Sequence, residues 1–524
     1  MPIAKASSLT LAARGGFCHA MKISKPDRAG LSSTFVFGVA LAALYTLIMA
    51  AKFALWRANV LMNDWAFYNN SFWNTNFRDL WLFSHDRLIL YGYPSYLNEH
   101  FGPLLFVLAA LYHLLPRGEV MLLLIHGAAP VLAAVGIRAT AVHLLGDRKW
   151  ATVIALAFAL NPGILWPTIS MVYGFQPDSM LPPLAALAAW ALATRRDGYF
   201  FLALLLALGI KENVPAYGLI LGVWLLVLTD RRKLALWTMA ISLAVFLIAS
   251  KGVPLLTGVE NRNVGTVWRF LDQLIHLRPS FDYTLPEIVI GLGYSAAFLP
   301  CVFVWPFMAM IGPDLLLIGQ VPQANTVSWH IMLPVTVLAL GAVWGTARIL
   351  TTRYWPAVLD ARMPRGQLMR RYWMAVLAAS VIAGPLTIYL AYDRYIALRS
   401  PVDQAAVAQA LALIPGDAGV ATTTDLEQYF VRRRVVTASA YVLQRAAADF
   451  SYLVVNRNAF TPGRLGGNLA DALRQDRCFV EAAERLARDD GKVLLDRGGI
   501  LAVGFSNLPV PLCQSFAGVS RSTM

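Results

Sequence analysis

Residues 199–229 read YFFLALLLALGIKENVPAYGLILGVWLLVLT, and they decide how the rest of the chain is read. A helix needs about 20 mostly apolar residues to cross a bilayer, and this run is longer than one crossing. Lys211 and Glu212 interrupt it, followed at once by Asn213 and Pro215. Proline removes a backbone donor and disrupts a helix interior. The run therefore reads as two helices, 199–213 and 214–229, with a polar break between them. Ionisable residues at membrane depth are costly and usually face a cavity or a partner. The plainer alternative is a short outer turn in which Lys211 and Glu212 pair with each other.

The pattern around this stretch is the same throughout. Of 524 residues, 58% are hydrophobic and 14% are charged. Soluble domains run nearer 45–50% apolar and about 25% charged, so a soluble enzyme, a disordered chain and a collagen-like chain are all excluded. Further apolar runs lie at 35–53, 119–142, 150–166, 179–194, 234–253, 286–309, 310–320, 331–350 and 372–392. The expected fold is an α-helical polytopic membrane protein with about 11 transmembrane helices. Fifteen Trp and 19 Tyr suit two membrane interfaces.

The net charge of +14 raises nucleic acid as a partner. Basic clusters holding the topology explain it better: Arg148-Lys149, Arg195-Arg196, Arg231-Arg232-Lys233 and the stretch Arg348 to Arg371. The positive-inside rule puts these in the cytoplasm. The expected partner is the lipid bilayer, with no nucleic acid, and the expected location is a bacterial inner membrane. Residues 1–34 then form a cytoplasmic tail and 35–392 the transmembrane domain. A large first loop, 54–118, faces outward, as do 161–180, 211–213, 254–285 and 321–330. Within that first loop, 101–115 is apolar but short for a span, and reads as a helix lying in the interface.

From about residue 394 the composition becomes more charged. Strand-like runs stand at 418–423, 434–439 and 452–456, a helical stretch at 478–488, then KVLLD and ILAVGF. Short strands alternating with helices predict a small α/β domain over 394–524, on the extracytoplasmic side. The four cysteines, Cys18, Cys301, Cys478 and Cys513, lack zinc-site spacing. Cys478 and Cys513 are a candidate disulfide in an oxidising compartment.

The unusual polar residues collect on the outward side. NDWAFYNNSFWN (63–74) sets Asp64 among aromatics, where partial desolvation would raise a carboxyl pKa and suit proton abstraction. An aromatic belt with an N-capping Asp would read the same way. LNEHFGP carries Glu99 and His100, a metal pair, an acid–base pair or simply solvated loop residues. VYGFQPDSM places Asp178 at a helix start, where an acid also answers the helix dipole. TVSWHIMLP places His330 at the start of another span. A polar cavity opening outward unites these residues, able to hold a phosphate-bearing lipid or to form one end of a transport path.

In this order the motifs resemble the predicted-membrane-protein family called domain of unknown function 2079, over roughly residues 55–460. The residues that carry the resemblance are Asp64, Asn70, Trp73 and Asn74, then His100 in HFGP, then FQPD with Gln176 where the family usually has His. Lys211-Glu212-Asn213, Trp329-His330, IPGDAGVATTTDL and DFSYLVVN complete it. The resemblance implies a layout like that of the GT-C glycosyltransferases, which take sugars from polyprenyl-phosphate donors. It implies Asp64 as the base and Lys211, alone or with His330, as the holder of the leaving phosphate. Asn70, Trp73, Glu99, His100, Gln176, Asp178 and Glu212 would join them around a polyprenyl-phosphate-linked sugar. The expected activity is sugar transfer to an envelope or lipid-linked acceptor at the outer face. No metal ligands are assigned; the first loop has no DxD pair, and a divalent cation is left open. A lipid or solute transporter should show inverted repeats and polar residues on both sides, and neither is read here. A non-catalytic envelope assembly protein would tolerate neutral substitutions at Asp64 and Lys211.

Overall fold

The computed structural model describes residues 28–57, 63–78, 81–93, 95–170, 174–259, 298–300, 332–351, 363–397, 402–458, 468–489 and 491–506. It is mostly helical. The chain begins with α1 (Arg28–Arg57), then three short helices, α2 (Asn63–Trp73), α3 (His85–Tyr91) and α4 (Leu104–Leu114). Next come α5 (Gly118–Leu145), α6 (Arg148–Ala159), α7 (Pro162–Ile169), α8 (Leu181–Ala193), α9 (Asp197–Leu208) and α10 (Val214–Leu228). Helix α11 (Arg232–Leu247) continues through one π-helical turn into α12 (Val253–Thr257), and α13 (Met332–Thr351) and α14 (Arg365–Ala397) complete the helical part.

Among the described residues five segments are long and apolar enough to cross a membrane: 32–57, 118–145, 232–257, 332–351 and 365–389. A sixth is the pair α6–α7, bent by 48°. The bend has a local cause. Asn161 turns out of the helix and its side chain accepts from Gly163 N, while Pro162 has no N–H to continue the ladder. Helices α8, α9 and α10 have 13, 12 and 15 residues, each shorter than a full crossing. The expected runs at 179–194, 199–213 and 214–229 are thus helical but shortened by the turns that flank them. Residues 310–320, and 286–309 apart from 298–300, lie outside the described residues. The spans differ in how much of their surface is covered. Helix α13 is buried along nearly its whole length, whereas α1 leaves Phe35, Val36 and Leu47 exposed, as a lipid-facing helix does.

Helix α4 spans 11 residues, about 16 Å at 1.5 Å per residue. Leu105, Leu108, Ala109 and Tyr112 are buried against α2 and α5, while Val107, Leu111 and Leu114 are exposed. At this length the helix falls short of a full crossing.

The C-terminal residues form a five-stranded sheet: β1 (Val420–Thr422), β2 (Val436–Thr437), β3 (Tyr452–Asn456), β4 (Lys492–Arg497) and β5 (Ile500–Gly504). The order is β2-β1-β3-β5-β4, parallel in the first three strands and antiparallel in the rest. All five expected strand runs are strands. Helix α15 (Gln404–Leu413) covers one face, with Ala406, Val407 and Ala410 against Val420, Val454 and Ala502. Helix α18 (Asn468–Asp489) covers the other, with Phe479, Ala482 and Ala483 against Ala421, Leu453 and Val503. Neighbouring strand residues thus face opposite layers, as the two-residue period requires. Gly498 and Gly499, at φ 59° and 81°, make the tight turn between β4 and β5 that other residues resist. Cys478 is buried and disulfide-bonded, and its expected partner Cys513 lies outside the described residues. Two short helices, α16 (Thr424–Glu427) and α17 (Ala440–Arg445), connect the parallel strands.

Candidate functional site

The polar break at 209–213 is where the site forms. Helix α9 ends at Gly209, whose carbonyl accepts from Leu104 N at 2.8 Å, so α4 starts directly against the break. Two residues earlier, Gly102 passes so close that a Cβ there would sit 2.9 Å from the Ile210 carbonyl oxygen. HFGP thus lies along IKE. The Glu212 carboxylate accepts from Phe101 N at 3.0 Å and pairs with His100 Nδ1 at 2.9 Å.

Lys211 turns the other way. Its Nζ donates to both oxygens of Asp178, at 3.1 and 3.2 Å. The pair is almost fully enclosed, with 8% and 10% of the two side chains exposed. Asp178 stands in a short 3-10 turn, Pro177–Met180, which Gln176 precedes. Lys211 and Glu212 thus each take a partner from a different loop, Asp178 and His100.

A third pair closes the group. Arg87, on α3, meets Glu99 Oε2 at 3.1 Å and lies over the Phe67 ring at 5.0 Å. Burial works against the Arg87 charge, but Glu99 and the neighbouring tyrosines outweigh it and hold the group above its ordinary value. Between the pairs, Tyr68 and Tyr96 share a hydrogen bond of 2.8 Å, and Tyr68 OH donates to Gln176 Oε1 at 3.4 Å. Burial first, then Tyr68 and Glu99, push the Tyr96 hydroxyl well above its ordinary range, so it stays a neutral donor.

The structure therefore brings together Glu99, His100, Gln176, Asp178, Lys211 and Glu212. Asp64 is the second residue of α2, the helix that carries Tyr68, but its side chain lies outside the described residues, as does all of His330. Asn70 and Trp73 point elsewhere. Asn70 Nδ2 donates to the Val431 and Arg433 carbonyls at 2.9 and 2.8 Å, and Trp73 lies exposed beneath the Arg432 guanidinium. Both face the C-terminal sheet unit. On an α-helix, two residues on from Tyr68 is more than half a turn away, which explains the different direction.

Arg87, Tyr68 and Tyr96 are not singled out by the sequence. Arginine in this chain reads as a topology residue, and tyrosine as an interface anchor. The available signal is that Arg87 stands in the 54–118 loop, which the sequence predicts to face outward and where the positive-inside rule does not call for it. Among the described residues no three His, Cys, Asp or Glu side chains converge as metal ligands.

A family model described as predicted membrane protein (DUF2079) matches residues 63–475. Among solved structures, the chain is similar to ArnT from Cupriavidus metallidurans bound to undecaprenyl phosphate. That likeness has a TM-score of 0.47 and 14% identity, covering 90% of this chain and 99% of that one. It is similar to the arabinofuranosyltransferase AftD from Mycobacteria, with a TM-score of 0.42 and 16% identity, covering 88% of this chain and 40% of that one. The Archaeoglobus fulgidus oligosaccharyltransferase gives a TM-score of 0.42 and 14% identity, over 80% and 68% of the two chains. No curated protein matches.

Proposed function

The chain belongs to the DUF2079 family of predicted membrane proteins, and on that premise we propose that it is a membrane glycosyltransferase. It moves a sugar from a polyprenyl-phosphate carrier to an envelope or lipid-linked acceptor, at the outer face of a bacterial inner membrane. The observation that carries this reading is the enclosed Lys211–Asp178 pair at the break between two apolar helices. It lies beside Gln176 and Tyr68, on the helix that begins with Asn63 and Asp64. A lipid phosphate needs a cation to hold it, and Lys211 supports the reading as that cation.

The acceptor hydroxyl gives its proton to the Asp64 carboxylate while its oxygen attacks the anomeric carbon. The bond from that carbon to the phosphate oxygen breaks, and the electron pair leaves with the polyprenyl phosphate. Lys211 and Arg87 hold the charge on the leaving phosphate, where a charge-assisted bond is strongest. Asp178 and Glu99 occupy those cations while the site is empty, since an unpaired buried charge is strongly destabilising. Phosphate arrival exchanges one anion for another. Glu212 and His100 keep the 99–104 segment against the break.

The test uses purified wild type and Asp64→Asn, a panel of polyprenyl-phosphate sugars and an envelope lipid extract, with free polyprenyl phosphate as the readout. Release by wild type and not by Asp64→Asn is the expected result. Folded wild-type protein that releases none from any donor would move the reading to transport or envelope assembly, with the polar group as a binding site.

A further inference from the structure

Helix α7 ends inside the protein, where its last carbonyls have no helical N–H to receive. Ser170 N donates back to the Trp166 carbonyl at 2.9 Å. The next two carbonyls are taken by side chains from other spans. His126 Nε2, on α5, donates to the Pro167 carbonyl at 3.1 Å, and Lys52 Nζ, on α1, donates to the Thr168 carbonyl at 2.9 Å. Both side chains are deeply buried, with Lys52 2% and His126 0% exposed. A lysine at this depth is costly, and an apolar residue would fill the space without that cost. The negative end of a helix is the feature that rewards a cation there. The helix needs the support, because Pro167 within it cannot donate to Gly163 and leaves the turn one bond short.

The end of α7 and the start of the polar site meet in one cluster. Ile169 packs with Tyr68, Phe72 and Phe175 in one cluster. The residue after Phe175 is Gln176, which accepts from Tyr68, and two further on is Asp178, which accepts from Lys211. Lys52 and His126 hold the end of α7, and Lys211 holds Asp178.

We propose that Lys52 and His126 are positioning residues of the polar site: by closing the end of α7 they set where Gln176 and Asp178 stand. The effect on turnover rests on the sugar-transfer reading above; the structural effect does not. The experiment therefore has two arms, both on the full purified chain. In the first, hydrogen–deuterium exchange is followed over residues 163–180. Lys52→Met and His126→Phe raise exchange there about tenfold, the scale of one lost hydrogen bond to a charged or buried group. Exchange in α1, in α5 and in the sheet unit stays as in wild type. Lys52→Arg and His126→Gln, which keep a donor, restore protection. In the second arm, run where wild type releases polyprenyl phosphate, Lys52→Met raises the donor KM about tenfold through the same lost bond, with a smaller change in kcat, and Lys52→Arg reverses it.

Wild type without turnover defeats the sugar-transfer reading and leaves the first arm in force. Unchanged exchange over 163–180 in both variants overturns the proposal. So does a rise spread across α1 and α5, which would make the two residues general packing elements. If Lys52→Met does not accumulate as folded protein, His126→Phe carries the same test with a side chain of similar volume.

Discussion

At the scale of single residues, the enclosed Lys211–Asp178 pair and the close approach at Gly102 predict different failures. Lys211→Met leaves Asp178 enclosed without its cation, which costs about 3–5 kcal/mol of stability. The double variant Lys211→Met, Asp178→Asn removes both charges and recovers most of that loss in a thermal unfolding measurement. It does not recover polyprenyl phosphate release, because the leaving phosphate still lacks its cation. Recovery of both would show the pair to be structural only. Gly102 makes a steric prediction instead. The Cβ of Gly102→Ala meets the Ile210 carbonyl, which is backbone and cannot rotate away. The variant should lose about 1–3 kcal/mol, seen as a lower midpoint in the same measurement, and an unchanged midpoint would mean that the 99–104 segment does not lie on the break. Lys211 and Glu212 stood out in the sequence because charge interrupts an apolar run. Asp178 and His100 stood out as well, but not as their partners, because they lie 33 and 112 positions away from them.

Among elements, the contact that matters is α3 against the C-terminal sheet unit. His85 Nε2 meets Asp449 Oδ2 at 2.9 Å, and the Thr437 hydroxyl donates to Asp86 Oδ2 at 3.0 Å. Asp86 faces Glu427 of α16, which in turn faces Asp476 of α18, with Asp425 beside the latter and Arg87 the nearby cation. Burial pushes Asp86 and Asp476 up to about 7 and Glu427 up to about 8, with the neighbouring carboxylates adding to the effect on the last two. The packed state therefore binds more protons than the opened one between the ordinary carboxyl range near 4 and these raised values. The carboxyls' contribution to docking is full below that ordinary range and is lost as pH rises through 7 to 8. Limited proteolysis of the sheet unit should accelerate between pH 6 and pH 8.5, and Asp86→Asn with Glu427→Gln should flatten that dependence. Faster cleavage at the acid end would refute the sign.

For the whole molecule the open prediction is orientation. The positive-inside rule predicts that the connections carrying Arg148-Lys149 and Arg231-Lys233 lie inside, with the polar site and the sheet unit facing out. A reporter fused after residue 392 should be active only outside the cytoplasm. Activity inside would reverse the topology and remove the outward-site reading with it.

The sequence by itself determined the membrane class, most helix positions and all five strands. These follow from local quantities: run length, two-residue alternation, and prolines and glycines at the breaks. It also determined that 211–213 would be polar and broken. Only the tertiary structure decided who meets whom. It sent Asn70 and Trp73 to the sheet unit, brought Arg87, Tyr68 and Tyr96 into the polar group, and set Lys52 and His126 on the end of α7. Those pairings depend on helix phase and on segments far apart in the chain, and a one-dimensional pattern carries neither.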